Sequence, residues 1–440
     1  MVSTARVAVV GAGLAGCECA MRLARQGVGV TLFEMKPVRF SPAHTSESLA
    51  ELVCSNSLRS DELASGVGLL KQEMRELGSL VMEAAEATRV PAGKALAVDR
   101  DLFAAHITRA VRAEPGITLV RQEIAGLDDP ALAGFEAVVV AAGPLAGDGL
   151  AASLAVAVGS DSLYFYDAIA PIVSTDSVNM DIAFWGSRYA PEEHDYLNCP
   201  MNKEEYFRFL EALRAAEKVP SRDFEKEIHF EGCMPIEALA ERGDRTLSFG
   251  PFKPVGLDNP RTGRWGYAVV QLRPENKEKT ACNLVGCQTK LTYPEQDRVF
   301  RLIPGLENAE FLRFGSMHRN TFVDAPRVLT PDLELLARPG VFLAGQITGV
   351  EGYVESAACG LWCGMLLAAK LTGRVLPQPP QESALGALLG HLRSEQLPFQ
   401  PSNVNFGLMP PLEMRGKKRD RKAMHAQRAR TAFVAWLAAC

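Results

Sequence analysis

Residues 6–36, RVAVVGAGLAGCECAMRLARQGVGVTLFEMK, constrain the fold of this chain more than any other stretch. Val7 to Val10 form an unbroken apolar run, the pattern of a parallel strand buried on both faces. Gly11, Gly13 and Gly16, with Ala12, Leu14 and Ala15 between them, spell G-x-G-x-x-G. Cys17, Ala20, Met21 and Ala24 then recur at helical spacing, and Gly27 ends that helix. VGVTLFE supplies a second strand closing on Glu34, 23 residues after Gly11. Gly11 permits the tight turn, Gly13 lets backbone approach a pyrophosphate, and Gly16 lets helix pack on strand. The helix N-terminus faces the negative charge, and Glu34 is spaced to bond a ribose hydroxyl. Strand, glycines, helix, strand and terminal acid together predict a dinucleotide-binding unit, which a lone glycine motif does not.

A second glycine cluster selects between dinucleotides. GVFLAGQITGVEGYVESAACGLWCGMLLAAKL (340–371) reads as a strand ending in Gly345 and Gln346, a turn, then a long apolar helix. Such a late unit closes over the flavin end in two-dinucleotide-fold flavoproteins, so FAD is the expected cofactor; a structural helix hairpin is the other reading. EAVVVAAGP (136–144) is the expected third element, leaving through Gly143. With nucleotide-binding elements at both ends, the fold class is α/β: a discontinuous Rossmann-like FAD-binding domain, 1–180 and 326–440, with an inserted α+β domain, 181–325. Within the insert, EEYFRFLEALRAAEK (204–218) reads as helix, and FEKEIHFEG, RTLSFGPF, GYAVVQL and CNLVGCQTKLTY read as strands. LASGVGLLKQEMRELGSLVMEAAEATRV (63–90) reads as a long amphipathic helix broken at Gly78, and LPQPPQ (376–381) as a linker to a basic tail.

Composition narrows the setting. A chain of 440 residues with 47% hydrophobic and 22% charged side chains is ordinary for a soluble globular protein. No apolar run is expected to reach the roughly 20 residues of a membrane span, and the N-terminus reads as a strand, not an export signal. The ten cysteines lack the spacing of a disulfide scaffold, so reduced thiols in a cytoplasmic protein are expected. Cys17, Cys19, Cys282, Cys287, Cys359 and Cys363 sit on apolar stretches without zinc spacing; they read as packing residues, and no metal site is expected. Net charge is −5, yet RGKKRDRKAMHAQRAR (415–430) carries eight basic residues against Asp420, leaving −12 on the rest. Lys417, Lys418, Arg419, Arg421 and Lys422 form a localised cationic footprint, suited to a phosphate backbone or else simply a solvated helix face.

Cys54 lies in ELVCSNSLRS (51–60), which has no strand or helix pattern. Ser55, Asn56, Ser57 and Arg59 surround it, and donors with a nearby cation favour the nucleophilic thiolate. The stretch alone fits an ordinary loop cysteine equally well. HFEGCMPIEAL (229–239) holds Cys233 in a similar turn-like context, between Gly232 and Pro235.

ELVCSNSLRS, VPAGKALAVDRDLFA, YLNCPM, FEGCMPIE, GPFKPVGL, MHRNTF, GQITGVEGYVESAA and NFGLMPPLE follow one another along the chain. Over roughly residues 5–435 the sequence resembles the folate- and FAD-dependent tRNA (uracil-5-)-methyltransferase family (TrmFO), which is related to the GidA/MnmG flavoproteins. The resemblance implies formation of 5-methyluridine at position 54 of tRNA, in the T-loop. It implies 5,10-methylenetetrahydrofolate as carbon donor, FAD as the source of electrons, and NADH or NADPH to recharge the flavin. The family's two chemical cysteines fall on Cys54 and Cys233. Cys233 then attacks uracil C6, and Cys54 is its partner, as base or as handler of the methylene unit; the reverse division stays open. His318, in MHRNTF, is a candidate to stack on the pterin of folate, with Arg319 and Asn320 on pterin or tail carboxylates; an ordinary hydrogen-bonded histidine is the other reading.

The chemistry needs such parts. Uracil C5 is a poor nucleophile until a thiolate adds at C6, so a nucleophile, an acid/base and a two-electron reductant must meet. A T-loop uridine must also leave its stack, which costs on the order of a few kcal/mol. Phosphate contacts from the basic segment offset that cost. Alternatives are the same chemistry on a ribosomal RNA uridine, or a wobble-uridine flavoprotein of the GidA/MnmG type. The latter carry a longer C-terminal helical domain than a chain ending at Cys440 provides. A flavoprotein without catalysis would lack one of the cysteines, and a small-molecule oxidoreductase would leave the basic segment unexplained.

Overall fold

The structure is a computed structural model that describes residues 5–159, 163–188, 190, 193–219, 234–394, 399–412 and 418–440; for 163–168, 318–319 and 418–419 it describes the backbone. A five-stranded parallel sheet runs in the order Val341–Leu343, Ala137–Val140, Arg6–Val10, Gly29–Glu34, Ile117–Arg121. Val7, Ala8 and Val9 are completely buried, as a strand covered on both faces requires. The helix Leu14–Arg25 follows the first strand and packs on the helix Tyr353–Leu371. At Gly360 a Cβ would lie 2.1 Å from the Ala15 carbonyl oxygen, so the two helices touch backbone to backbone.

The second sheet is antiparallel, in the order Phe184–Gly186, Tyr196–Met201, Ala268–Pro274, Ala281–Leu284, Ile172–Ser174, Phe311–Arg313. It has its own core, in which Phe209, Phe252 and Phe300 are fully buried. The strand Ile172–Ser174 already belongs to this sheet, so the change of sheet comes before residue 180. Its partner Ala281–Leu284 is over a hundred positions away, which no local pattern reveals. A two-stranded ribbon, Leu163–Ala168 with Met317–Phe322, runs between the sheets.

Several local expectations hold. Gly78, at φ 72°, separates helices Gly66–Glu76 and Leu80–Ala87, and EEYFRFLEALRAAEK lies on the helix Lys203–Ala215 and just beyond it. Others change. Part of RTLSFGPF is the helical turn Thr246–Phe249, because four residues are too few for periodicity to distinguish strand from helix. FEKEIHFEG lies outside the described residues. Ser57–Ser60, within the patternless Cys54 stretch, pairs as a strand with Ala95–Val98. Between LPQPPQ and the basic segment stands a further buried helix, Ala384–His391. Glu73, buried in the core, accepts the Ala384 and Leu385 N–H groups at 2.8 and 2.7 Å and so satisfies that helix N-terminus.

The helix Tyr353–Leu371 is long and apolar enough to cross a membrane, contrary to the expectation from sequence. Its apolar window is 78% buried, which accounts for the composition by packing.

Candidate active site

A cleft of about 1110 Å³ opens at the C-terminal ends of the parallel strands. Gly11, Ala12, Gly13, Leu14, Ala15, Glu34, Gly143, Gly345 and Gln346 all line it. Gly16 does not; it faces the first strand, where an added Cβ would meet the Gly11 carbonyl oxygen at 1.8 Å. Gly11, at φ 99°, turns so tightly against the Ala141–Ala142 backbone that no side chain fits. Gly13 has the opposite surroundings: a Cβ there would meet nothing within 4 Å. No side chain caps the following helix, so its first N–H groups face the cleft beside that open space. This bare, positively polarised cradle fits the pyrophosphate of a dinucleotide such as FAD.

Glu34 is buried and already held. Its Oε2 accepts the Ala12 N–H at 2.9 Å and its Oε1 the Lys36 N–H at 2.9 Å. Each carboxylate oxygen retains acceptor capacity for a ribose hydroxyl. Sequence reasoning did not single out Lys36, Glu51 or His44, which share this wall. Lys36 Nζ pairs with Glu51 at 3.2 Å, and the Glu51 carboxylate accepts the Thr45 and Ser46 N–H groups. Burial opposes the charge on Glu51, but those N–H groups and Lys36 outweigh it and hold its carboxyl below the usual range. Burial, then the Lys36 charge, lowers His44 toward the neutral form. Its Nδ1 lies 2.6 Å from Ser41 Oγ.

Cys54 does not line this cleft but adjoins it. Val53 and Tyr353 line the wall, and the Cys54 N–H donates to the Tyr353 phenol oxygen at 2.7 Å. Burial, reinforced by the Cys54 charge, pushes the Tyr353 phenol upward, so it stays neutral. The cation expected beside the thiol, Arg59, instead turns to Glu355 at 2.8 Å. Its place is taken by Arg100, Arg273 and Arg313, all within electrostatic reach of Cys54. Arg100 donates to the Leu52 carbonyl at 2.6 Å while ion-paired with Glu275. Arg273, fully enclosed, donates to Asn56 Oδ1 at 2.8 Å and Ser55 Oγ at 2.6 Å. The loop is therefore gripped from the helix Arg100–Ala113, the antiparallel strand Ala268–Pro274 and the helix Tyr353–Leu371. A signal for Arg100 was present inside VPAGKALAVDRDLFA; Arg273 and Arg313 left none.

The other cysteines expected to pack do so. Cys17, Cys19, Cys282, Cys287, Cys359 and Cys363 are buried, and burial raises the thiols of Cys17, Cys282, Cys287 and Cys359. Cys233 lies outside the described residues, as does Lys417. His318 and Arg319 are on the strand Met317–Phe322, whose Thr321 N–H donates to Pro144 at the cleft rim at 3.0 Å. Among the described residues, buried Asn320 finds no acceptor for its Nδ2. Among the described residues, no group of three or more His, Cys, Asp or Glu side chains is arranged to hold a metal ion.

The basic segment enters the helix Lys418–Leu437. Its C-terminal half is anchored: Phe433 and Trp436 are buried, and Arg430 pairs with Glu76 at 2.9 Å. Arg421 and Lys422 are exposed.

A family model described as Glucose inhibited division protein A matches residues 6–375. The methylenetetrahydrofolate--tRNA-(uracil-5-)-methyltransferase TrmFO of Oleidesulfovibrio alaskensis is 70% identical over 438 residues, covering 100% of this chain and 98% of that protein. The protein of the same name from Geobacter sulfurreducens is 57% identical over 437 residues, covering 99% of each. Among solved structures, Aquifex aeolicus GidA in its form I crystal superposes with a TM-score of 0.69 at 16% identity, over 98% of this chain and 76% of that one. That likeness supports the fold alone.

Proposed function

The chain belongs to the TrmFO family of methylenetetrahydrofolate–tRNA-(uracil-5-)-methyltransferases, and from that premise we propose that the cleft holds FAD and that Cys54, adjoining it, works with Cys233 on a tRNA uridine. The protein is a tRNA (uracil-5-)-methyltransferase with a folate carbon donor. The alternatives, the same chemistry on a ribosomal RNA uridine or a wobble-uridine-modifying flavoprotein of the GidA/MnmG type, are not favoured.

The Gly13 cradle and the N-terminus of the helix Leu14–Arg25 would hold the pyrophosphate, and Glu34 a ribose hydroxyl. Bound flavin supplies the two electrons that convert a methylene carbon to a methyl group. The chain's own residues do the rest. Cys233 as thiolate adds to uracil C6, which places enolate character at C5. C5 then bonds to the methylene carbon carried by folate as one of its carbon–nitrogen bonds opens, and the second carbon–nitrogen bond breaks as the C5 proton leaves, the folate nitrogen taking the electron pair. A base removes the C5 proton, and elimination of the thiolate from C6 restores the double bond. Cys54 is proposed to take that proton, on a loop that Tyr353 and the arginines hold. His318, Arg319 and Asn320 are proposed to meet the folate, because their strand borders the cleft rim. Position 54 of the T-loop is the proposed target, NADH or NADPH the proposed reductant, and Lys417, Lys418, Arg419, Arg421 and Lys422 the proposed phosphate contacts.

The observation carrying this reading is the Cys54 loop closing on the cleft wall through Tyr353. Purified protein is incubated with unmodified tRNA, methylenetetrahydrofolate and NADH or NADPH, and the product mapped for 5-methyluridine. Dependence on S-adenosylmethionine would overturn it. Cys54→Ala and Cys233→Ala should each abolish turnover while the protein stays yellow.

A further inference from the structure

Away from the cleft, three rings form a stacked ladder. Tyr293 lies on Phe314 with centroids 5.1 Å apart and planes 16° apart, and Phe314 lies on Phe311 at 5.1 Å and 20°. The Arg301 guanidinium stands 5.9 Å from the Phe311 centroid, closing the inner end. Core pairs of this protein pack differently: Tyr206 meets Phe207 at 84° and Phe33 meets Phe135 at 81°. The ladder is not core. Tyr293 is 58% exposed, and Leu312, next to Phe311 in the chain, 53%. With one face on Phe314, the exposure of Tyr293 comes from its other face and its edges.

The ladder's position matters as much as its shape. Phe311–Arg313 is the edge strand of the antiparallel sheet, and a register shift between Phe311 and Arg313 re-aims its side chains. Arg313 reaches back to donate to the Ala43 carbonyl at 3.3 Å, next to His44 of the cleft wall, and feels the charge of Cys54. On the other side, Tyr293 follows the 288–291 segment. There Lys290 accepts the Val219 N–H at 2.8 Å and Gln288 accepts the Ile236 N–H at 2.7 Å. Val219 and Ile236 are described residues on either side of Cys233 in the chain. Through Arg313 the strand that carries Phe311 thus reaches the wall of the cleft.

We propose that the outer face of Tyr293 is a stacking platform for an unpaired nucleobase of the RNA substrate, next to the uridine that enters the cleft. The proposal rests on the tRNA reading above. A uridine drawn out of its loop strips its neighbours of a stacking partner, and a flat exposed ring restores one. Every base has such a face, so the contact tolerates sequence and complements the reading of the target at the thiols. A flat ring backed by parallel rings offers a base a stacking face; an aliphatic protein partner calls for an uneven pocket instead.

The test measures tRNA binding to the FAD-loaded protein and the quenching of 2-aminopurine substituted beside the target uridine. Tyr293→Ala and Tyr293→Leu should weaken binding by roughly 5- to 150-fold and relieve the quenching, whereas Tyr293→Phe should retain both. Flavin absorbance and thermal unfolding of each variant report that the fold is intact. Wild-type affinity in Tyr293→Leu overturns the proposal, as does a change in sedimentation with RNA binding untouched, which would make the face a contact between copies. Failure of the wild-type protein to methylate tRNA overturns the family reading instead, and is seen before any variant is made.

Discussion

The backbone N–H of Cys54 donates to the phenol oxygen of Tyr353, 299 positions later in the chain, at 2.7 Å. The Ser55 N–H points to the same oxygen at 3.4 Å. One neutral phenol thus holds the cysteine loop against the wall of the cleft, and burial keeps that phenol from ionising.

Removing the oxygen strands a partly buried donor, which costs about 1–3 kcal/mol. Tyr353→Phe should therefore lower stability by that amount and slow methyl transfer by roughly 10- to 100-fold, the range of such a displacement. Flavin should stay bound. Urea unfolding and single-turnover methylation measure the two effects; unchanged turnover would mean the loop is held by other contacts.

Arg100 ties the same loop to the antiparallel domain, with Glu275 as its enclosed partner. Arg100→Met leaves Glu275 charged and unpaired, so a loss of about 3–5 kcal/mol is expected. The double variant Arg100→Met/Glu275→Gln should recover part of it. If the double variant is no more stable than the single one in urea, the pair does not act as a pair.

Asp61 gives a pH signature. Burial disfavours its charge, but hydrogen bonds from Arg75 at 2.9 Å and Arg89 at 2.7 Å and the field of Lys71 prevail, holding its carboxyl at about 2. Lys71 in turn donates to the Leu58 and Arg59 carbonyls behind the Cys54 loop. A folded-state value below the ordinary 3.8 stabilises the fold above pH 3.8, and that contribution is lost as pH falls through about 2. The stability gap between wild type and Asp61→Asn should be full at pH 7 and shrink between pH 4 and 2. A gap independent of pH in urea titrations would contradict the assignment.

The basic helix predicts a salt effect. Converting Lys417, Lys418, Arg419 and Arg421 to alanine should weaken tRNA binding and flatten its salt dependence, each lost phosphate contact reducing the logarithmic slope by roughly 0.7–0.9. Filter binding from low to moderate salt reads the slope directly. The buried anchor of Phe433 and Trp436 should leave the melting temperature nearly unchanged. An unaltered slope would remove this helix from the RNA path.

Local chemistry is legible where neighbours in sequence are neighbours in space. The strand, glycine turn, helix and terminal acid of residues 6–36 lie together at one cleft, which Gly143, Gly345 and Gln346 also line. Cys54 was singled out from its polar surroundings and from the family resemblance, but the cation named beside it, Arg59, pairs with Glu355. RTLSFGPF read as strand because so short a run carries no periodicity that separates a strand from the single helical turn Thr246–Phe249.

By itself, then, the sequence determined the βαβ nucleotide unit, the break at Gly78, the packing cysteines and the basic segment, because each is written in spacings of a few residues that backbone geometry reads directly. Only the tertiary structure decided which cations surround Cys54, where the second sheet begins, and that Tyr353 closes the cleft on the cysteine loop. Those relationships join residues as far apart as 299 positions, and electrostatic and hydrogen-bonding forces act through space with no regard to chain order.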